Sequence, residues 1–219
     1  EFRRVLFRSH RIFITHFHGD HCLGLAGIDW KNGLDVIHAW STSVNLADNV
    51  SVANDATLLL AAGTPDGWGL ALVCGTGSVA FVRNAAGAEG RAGGWGYLLG
   101  DEGSAYQIAL TALRAACRAA DGCIPPTLLV ERFLKRLGAA TPLDIIAAVY
   151  HPAWERTALA ALAPLVLDAA EDGDELANRI VSEQAGELAL TAATAAKKFG
   201  LPLTELPVAL TGGLVLRNE

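Results

Sequence analysis

The chain has 219 residues, of which 52% are hydrophobic and 18% are charged, and its formal net charge is −6. This length and apolar content suffice for a packed core and exclude an intrinsically disordered chain, and no uninterrupted apolar run approaches the length of a membrane span. The acidic balance argues against nucleic acid as a partner, because such binding depends on neutralising phosphates with basic residues.

The first two segments of the chain differ from the rest. Residues 1–9 resemble one reading frame of a common short-read sequencing adapter, and we predict that they are an assembly artefact. Residues 10–21 contain a β-branched apolar strand that runs into a histidine-rich loop. That loop carries His16, His18, Asp20 and His21.

Three imidazoles and a carboxylate on one loop are the ligand set of a dinuclear zinc site that activates water. The segment resembles the metal-binding loop of ribonuclease Z in the metallo-β-lactamase superfamily, so a zinc-dependent hydrolase is one interpretation. A site of this kind needs further ligands later in the chain, and the downstream histidines, His38 and His151, lie in no matching context. We therefore predict that the chain is a chimera joined near residue 22. Zinc would be bound only if the alternative interpretation, a zinc-dependent hydrolase, were correct.

From residue 22 onward the pattern is that of one α/β protein. Hydrophobic periodicity and turn residues predict a hairpin of two strands followed by a helix-rich region and a last buried strand. The predicted strands are 35–38, 49–53, 67–74, 79–83 and 206–210; the helices are 54–62, 104–120, 127–137, 142–149, 153–170 and 174–199; and 84–94 is a polar turn region.

The predicted hairpin turn has the sequence Gly75-Thr76-Gly77-Ser78. Glycines beside hydroxyl residues let backbone N–H groups converge on an anion, and the hydroxyls add donors. This composition is typical of a phosphate-binding loop, although a plain hairpin turn has the same appearance.

A second glycine-rich segment, residues 93–105, precedes a predicted helix. Its glycines let a ligand approach the main chain next to Trp95, and Asp101 offers charge-assisted hydrogen bonds to hydroxyl groups. This combination favours a sugar as the ligand. Alternatively, Asp101 or Ser104 caps the helix and Trp95 fills the core.

Two shorter motifs follow predicted strands. Asp55 lies at a strand-to-helix junction, where a carboxylate either accepts a proton during phosphoryl transfer or caps the helix. Gly212 and Gly213 follow the last strand, where missing side chains leave room for a flat base or form an ordinary turn.

In their order and spacing, these motifs resemble the N-acetylglucosamine kinase group of the BadF/BadG/BcrA/BcrD ATPase family, in the sugar kinase, Hsp70 and actin superfamily. The resemblance covers about residues 22–219 and implies an α/β fold of two ribonuclease H-like lobes with the active site in the cleft between them. Residues 22–65 would close an incomplete first lobe, and residues 66–219 would form a second lobe truncated at its C-terminus. The motifs that carry the resemblance are residues 23–29, 54–56, 74–78, 93–104, 173–174 and 210–213.

The resemblance also implies roles for individual residues, with ATP and Mg²⁺ as cofactors and an amino sugar, most closely N-acetylglucosamine, as substrate. Asp55 would be the general base that takes the proton of the attacking sugar hydroxyl. The binding residues would be Gly75, Thr76, Gly77, Ser78, Gly212 and Gly213 for ATP, and Thr76, Gly77, Gly94, Trp95 and Asp101 for the sugar.

The sequence departs from the family in two respects: the residues that complete the adenosine lobe past Glu219 are missing, and so is an N-terminal motif. Family members open with an Asp-Gly-Gly-Gly-Thr type of phosphate loop, and no such motif precedes Leu23. We therefore predict that this polypeptide has little or no kinase activity. The chain also contains no methionine, at position 1 or elsewhere, which predicts that it is not a complete natural reading frame.

The cysteines and Asp55 distinguish the remaining alternatives. An activating ATPase of the same family would hold an iron–sulfur cluster through cysteines, and Cys117 and Cys123 form no such pattern. A non-catalytic sugar sensor is a further alternative, against which the retention of Asp55 argues. The free cysteines favour a cytoplasmic location. We expect no membrane partner, and the resemblance is compatible with a homodimer of the parent protein.

Overall fold

The structure is a computed structural model, which describes residues 39–40, 42–44, 55–151 and 155–216. The chain divides into two compact units, Glu1–Leu58 and Leu59–Glu219. The predicted strands at 35–38 and 49–53 lie outside the described residues, as do both N-terminal segments. The helix predicted at 54–62 is present as α1 (Asp55–Gly63). The packing described below is that of the second unit.

In the described part of the second unit, a mixed sheet of four strands forms one layer, in the order β3-β2-β1-β4. β2 is antiparallel to both β1 and β3, whereas β4 lies parallel to β1. The α/β class and the hairpin predicted from the sequence are therefore confirmed. The strands are β1 (Gly69–Cys74), β2 (Ser78–Arg83), β3 (Glu89–Gly93) and β4 (Val208–Thr211).

Strand β3 corrects the prediction of a polar turn at 84–94. Only the first part of that region is a turn, in which the Asn84 side chain accepts hydrogen bonds from the N–H groups of Ala86 and Ala88. The sequence of β3 has low strand propensity, because it holds two glycines and two charged residues in five positions. Pairing with β2 overrides that propensity, and the Phe199 ring occupies the space that a side chain at Gly90 would need.

Six further helices lie within the described residues, and sequence signals mark the beginnings of the longer ones. Ser104, Thr127 and Asp174 each accept a hydrogen bond from a backbone N–H of the first helical turn, as N-caps do. None of the described helices is long and apolar enough to cross a bilayer. The helices are α2 (Ala105–Ala120), α3 (Leu128–Leu137), α4 (Asp144–Val149), α5 (Arg156–Ala160), α6 (Ala163–Glu171) and α7 (Glu175–Lys198).

The single helix predicted at 153–170 is wrong, because α5 and α6 are separate. α5 ends at Ala160, and Pro164 lies in the first turn of α6. Proline cannot donate a hydrogen bond to the carbonyl four residues earlier, and its ring clashes with that carbonyl. The carbonyl in question belongs to Ala160, so a continuous helix would have broken at the residue where α5 ends.

Helix α7 joins two hydrophobic cores. Near its beginning, Ile180 packs with Phe133 and Val166 in a core formed by helices. Near its end, Ala195 and Ala196 pack against the sheet. Because one helix contributes to both cores, the loops at the end of β1 are held in a fixed relation to the helices behind them.

Candidate functional site

The loop between β1 and β2 lies against the segment that precedes α2. Gly75 accepts a hydrogen bond from the Ala105 N–H at 2.9 Å, and the Ser78 hydroxyl donates to the Glu102 carbonyl at 2.7 Å. The Cys74 thiol lies 3.3 Å from the Gly103 carbonyl and donates to it. The two glycine-rich motifs, separated by residues 79–92 in the sequence, thus form one continuous surface.

Asp101 lies inside this surface and is only 3% exposed. One carboxylate oxygen accepts the Ser78 N–H at 3.4 Å, and the other accepts Nη2 of Arg156 at 2.8 Å. The helix cap next to it is made by Ser104, whose hydroxyl accepts the Gln107 N–H. The Asp101 side chain therefore contacts Ser78 and Arg156, and Ser104 supplies the cap.

Sequence reasoning missed Arg156. Its guanidinium lies 5.6 Å from the centre of the Tyr97 ring, in addition to its ion pair with Asp101. A buried carboxylate predicts a nearby cation. The sequence pattern does not show which cation this is, because Arg156 lies 55 residues further along the chain, in helix α5.

A side chain at Gly77 would displace the same ion pair. A Cβ at this position would lie 2.2 Å from Nη2 of Arg156 and 2.7 Å from a carboxylate oxygen of Asp101. The missing side chain therefore makes room for a guanidinium and a carboxylate against the loop backbone. This is a structural reason for glycine at Gly77, beside the phosphate-binding role predicted for it.

Trp95 forms the outer part of the surface and is 67% exposed, so it does not fill the core. The Arg91 guanidinium lies 5.6 Å from the centre of its ring and donates at 2.7 Å to the carbonyl of Gly94. A Cβ at Gly100 would come within 3.2 Å of the Trp95 Cβ, so the chain folds back closely at that point. An exposed, held indole of this kind can stack on the apolar face of a sugar ring.

Gly212 and Gly213 contact the other side of the β1–β2 loop. Since β1 and β4 are parallel, Cys74 and Thr211 end at the same edge of the sheet, where α/β proteins bind ligands. Gly212 has φ +114°, and a Cβ there would lie 2.1 Å from the Cys74 carbonyl oxygen. A Cβ on Gly213 would meet nothing within 4 Å. Gly212 thus packs tightly against the backbone of the loop, whereas Gly213 lies next to open space.

The chemistry available at this surface is hydrogen bonding and charge, without a reactive thiol. Burial raises the pKa of the Cys74 thiol to about 11, so it is protonated and unreactive at neutral pH. Among the described residues, no group of three or more acidic, histidine or cysteine side chains could hold a metal ion. A Mg²⁺ ion that is bound mainly through phosphate oxygens and water needs few protein ligands. No such protein ligand can be assigned among the described residues.

The remaining predicted site residues lie beyond what the structure describes. Asp55 is the first residue of α1, and its side chain is outside the described set. The predicted zinc ligands are also outside it; they are His16, His18, Asp20 and His21. Of the predicted residues, the structure thus brings together those of the two glycine-rich motifs and the glycines after β4.

Comparisons with known proteins identify the family of the chain. The family model described as the BadF/BadG/BcrA/BcrD ATPase family matches residues 19–219. The N-acetyl-D-glucosamine kinase of Dictyostelium discoideum is 36% identical in an alignment of 206 residues that covers 91% of this chain. The N-acetylmuramic acid/N-acetylglucosamine kinase of Clostridium acetobutylicum is 31% identical over 194 residues, or 89% of this chain. The chain spans 64% and 63% of the lengths of these relatives.

Two solved structures share the fold of this chain. It is the fold of the sugar kinase, Hsp70 and actin superfamily that the sequence predicted. Both are provisionally named N-acetylglucosamine kinases. The structure from Chromobacterium violaceum has a TM-score of 0.61 and 32% identity, and the match covers 75% of this chain and 55% of that one. The structure from Porphyromonas gingivalis has a TM-score of 0.53 and 21% identity, and the match covers 83% and 70% of the two chains. The ribonuclease Z-like fragment predicted at residues 10–21 gains no support from these comparisons.

Proposed function

Because the chain belongs to the BadF/BadG/BcrA/BcrD ATPase family, we propose that it carries the sugar site of an amino-sugar kinase that transfers the γ-phosphate of ATP to N-acetylglucosamine. The observation that carries this proposal is the contact between the Gly75–Ser78 loop and the segment holding Trp95 and Asp101. The names of the relatives support the choice of sugar.

In the proposed reaction, a sugar hydroxyl oxygen attacks the γ-phosphorus, and the bond between that phosphorus and the bridging oxygen of ADP breaks. Asp55 takes the proton of the hydroxyl, as a general base in phosphoryl transfer does. Asp101 accepts a hydrogen bond from another hydroxyl, and Trp95 packs on the ring. The Gly75–Ser78 loop and Gly213 line the path of the nucleotide, which binds with Mg²⁺.

A calorimetric titration with N-acetylglucosamine tests the sugar site on the 219-residue chain. We expect one binding site, with weaker binding of glucose, which lacks the acetamido group. N-acetylmuramic acid is the second sugar to compare, because the Clostridium relative is named for both sugars. If no heat of binding appeared up to about 10 mM, which is tenfold above the upper end of common KM values, the chain would not carry a sugar site.

A phosphotransfer assay tests the catalytic part of the proposal. With ATP, Mg²⁺ and N-acetylglucosamine, we expect turnover at or near background, because the sequence contains no Asp-Gly-Gly-Gly-Thr loop before Leu23. Sugar phosphate formed above background should fall to background in Asp55→Asn, because the general base is lost, and it should not change in the exposed-site control Asp121→Asn. Rapid turnover by the unaltered chain would contradict the predicted need for that loop.

A further inference from the structure

We propose that Arg156 is a positioning residue for sugar recognition: it holds the Asp101 carboxylate and the Gly77–Ser78 backbone in a single arrangement. This inference rests on the proposed function for the sugar, and on the structure alone for the geometry. It adds a residue from α5 to a site that the sequence motifs placed entirely on two loops.

Asp101 has few alternatives to this ion pair. Asp101 is 3% exposed, and its two oxygens accept Nη2 of Arg156 and the N–H of Ser78. A buried carboxylate without a cation is unfavourable, so Arg156 fixes where this carboxylate lies. Because a carboxylate oxygen has more than one lone pair, Asp101 keeps capacity to accept a hydroxyl while both contacts are made.

The surroundings hold the guanidinium in place. Nη2 lies against the backbone of Gly77, where no side chain would fit, and the Tyr97 ring lies 5.6 Å from the guanidinium carbon. The planar group is therefore confined between a glycine, an aromatic ring and a carboxylate. A lysine would supply the charge but not the flat, forked group that this space fits.

Nε of Arg156 is buried and has no hydrogen-bond partner among the described residues. The guanidinium is thus placed by the contact of Nη2 with Asp101 and by the Tyr97 ring rather than by a bond at Nε.

Two readouts on Arg156→Gln test the proposal. Amide hydrogen exchange at Ser78 should become about tenfold faster or more, while amides in the middle of β2 keep their rates. The Kd for N-acetylglucosamine should rise about tenfold or more, the loss expected when a hydrogen-bonded charge is removed. In Arg156→Lys, both changes should be smaller than in Arg156→Gln. Arg132→Gln is the matched control, since Arg132 forms an arginine–aspartate pair with Asp172 on a different surface of helices.

Each outcome decides one of the two claims. Unchanged Ser78 exchange in Arg156→Gln would overturn the positioning role, and so would unchanged or tighter sugar binding. If the unaltered chain bound no sugar, the proposed function would fail, and Ser78 exchange would still decide whether Arg156 positions the loop. If Arg156→Gln did not fold, Arg156→Lys would replace it. A raised Kd and faster Ser78 exchange with an unaltered melting temperature would support the proposal. An unaltered Kd together with unaltered Ser78 exchange would contradict it.

Discussion

An Asp174→Ala variant is expected to lose about 2–4 kcal/mol of unfolding free energy, the combined effect of a lost N-cap and lost hydrogen bonds to a charged group. Asp174 caps α7 through the Ala177 N–H, and its other oxygen accepts the hydroxyl of Thr127 and the N–H of Leu128 at the start of α3. One carboxylate therefore secures the beginnings of two helices. Chemical denaturation measures the loss, and Asp121→Ala, at an exposed aspartate after α2, should change stability by less than about 0.5 kcal/mol.

The contribution of Asp174 should also depend on pH. Burial alone would raise the pKa of Asp174, but hydrogen bonds from Ala177, Thr127 and Leu128 outweigh burial and hold it below the ordinary value. A carboxylate whose pKa is lower in the folded state stabilises the fold above the pKa of the unfolded chain, about 3.9. That stability is lost as the pH falls through the lower folded pKa. The Asp174→Asn variant should lack this part of the acid dependence, and an identical acid profile would argue against the assignment.

A Gly212→Ala variant is expected to lose about 2–5 kcal/mol, from backbone strain and steric overlap together. The backbone at Gly212 has φ +114°, which other residues rarely adopt, and the new Cβ would lie 2.1 Å from the Cys74 carbonyl oxygen and 2.9 Å from the Gly75 nitrogen. The overlap is with backbone, so it cannot be relieved by a side-chain rotation. Relief would require β4 or the β1–β2 loop to move.

Gly213→Ala is the matched control for this substitution, one residue further on. Its Cβ would meet nothing within 4 Å, and its backbone is not in the positive-φ region. Melting should therefore change little, whereas ATP binding should weaken if the proposed nucleotide path runs through that space. Equal destabilisation by the two variants would contradict the packing described at the end of β1.

Most helix boundaries could be predicted because they are set by local chemistry. Ser104, Thr127 and Asp174 were predicted as the first residues of helices, and in the structure each is the N-cap of a helix that begins one residue later. The break at Pro164 had the same kind of local signal, since a proline removes a donor that a helix needs.

The features that could not be predicted depend on contacts between distant parts of the chain. β3 has almost no strand propensity of its own and forms because β2 offers an edge to pair with. The Arg156–Asp101 ion pair joins a loop to a helix that carries no motif. Composition identified the glycines, but only the structure distinguishes Gly212, which packs against backbone, from Gly213, which faces open space.

The central claim is that the Gly75–Ser78 loop and the Trp95–Asp101 segment together bind the sugar. Amide chemical shifts recorded while N-acetylglucosamine is added to the 219-residue chain test it most directly. We predict that the largest changes lie at Thr76, Gly77 and Ser78 and in the segment from Gly94 to Asp101. Changes confined to another part of the second unit, such as the groove of about 600 Å³ along α3 between Leu128 and Arg136, would contradict it.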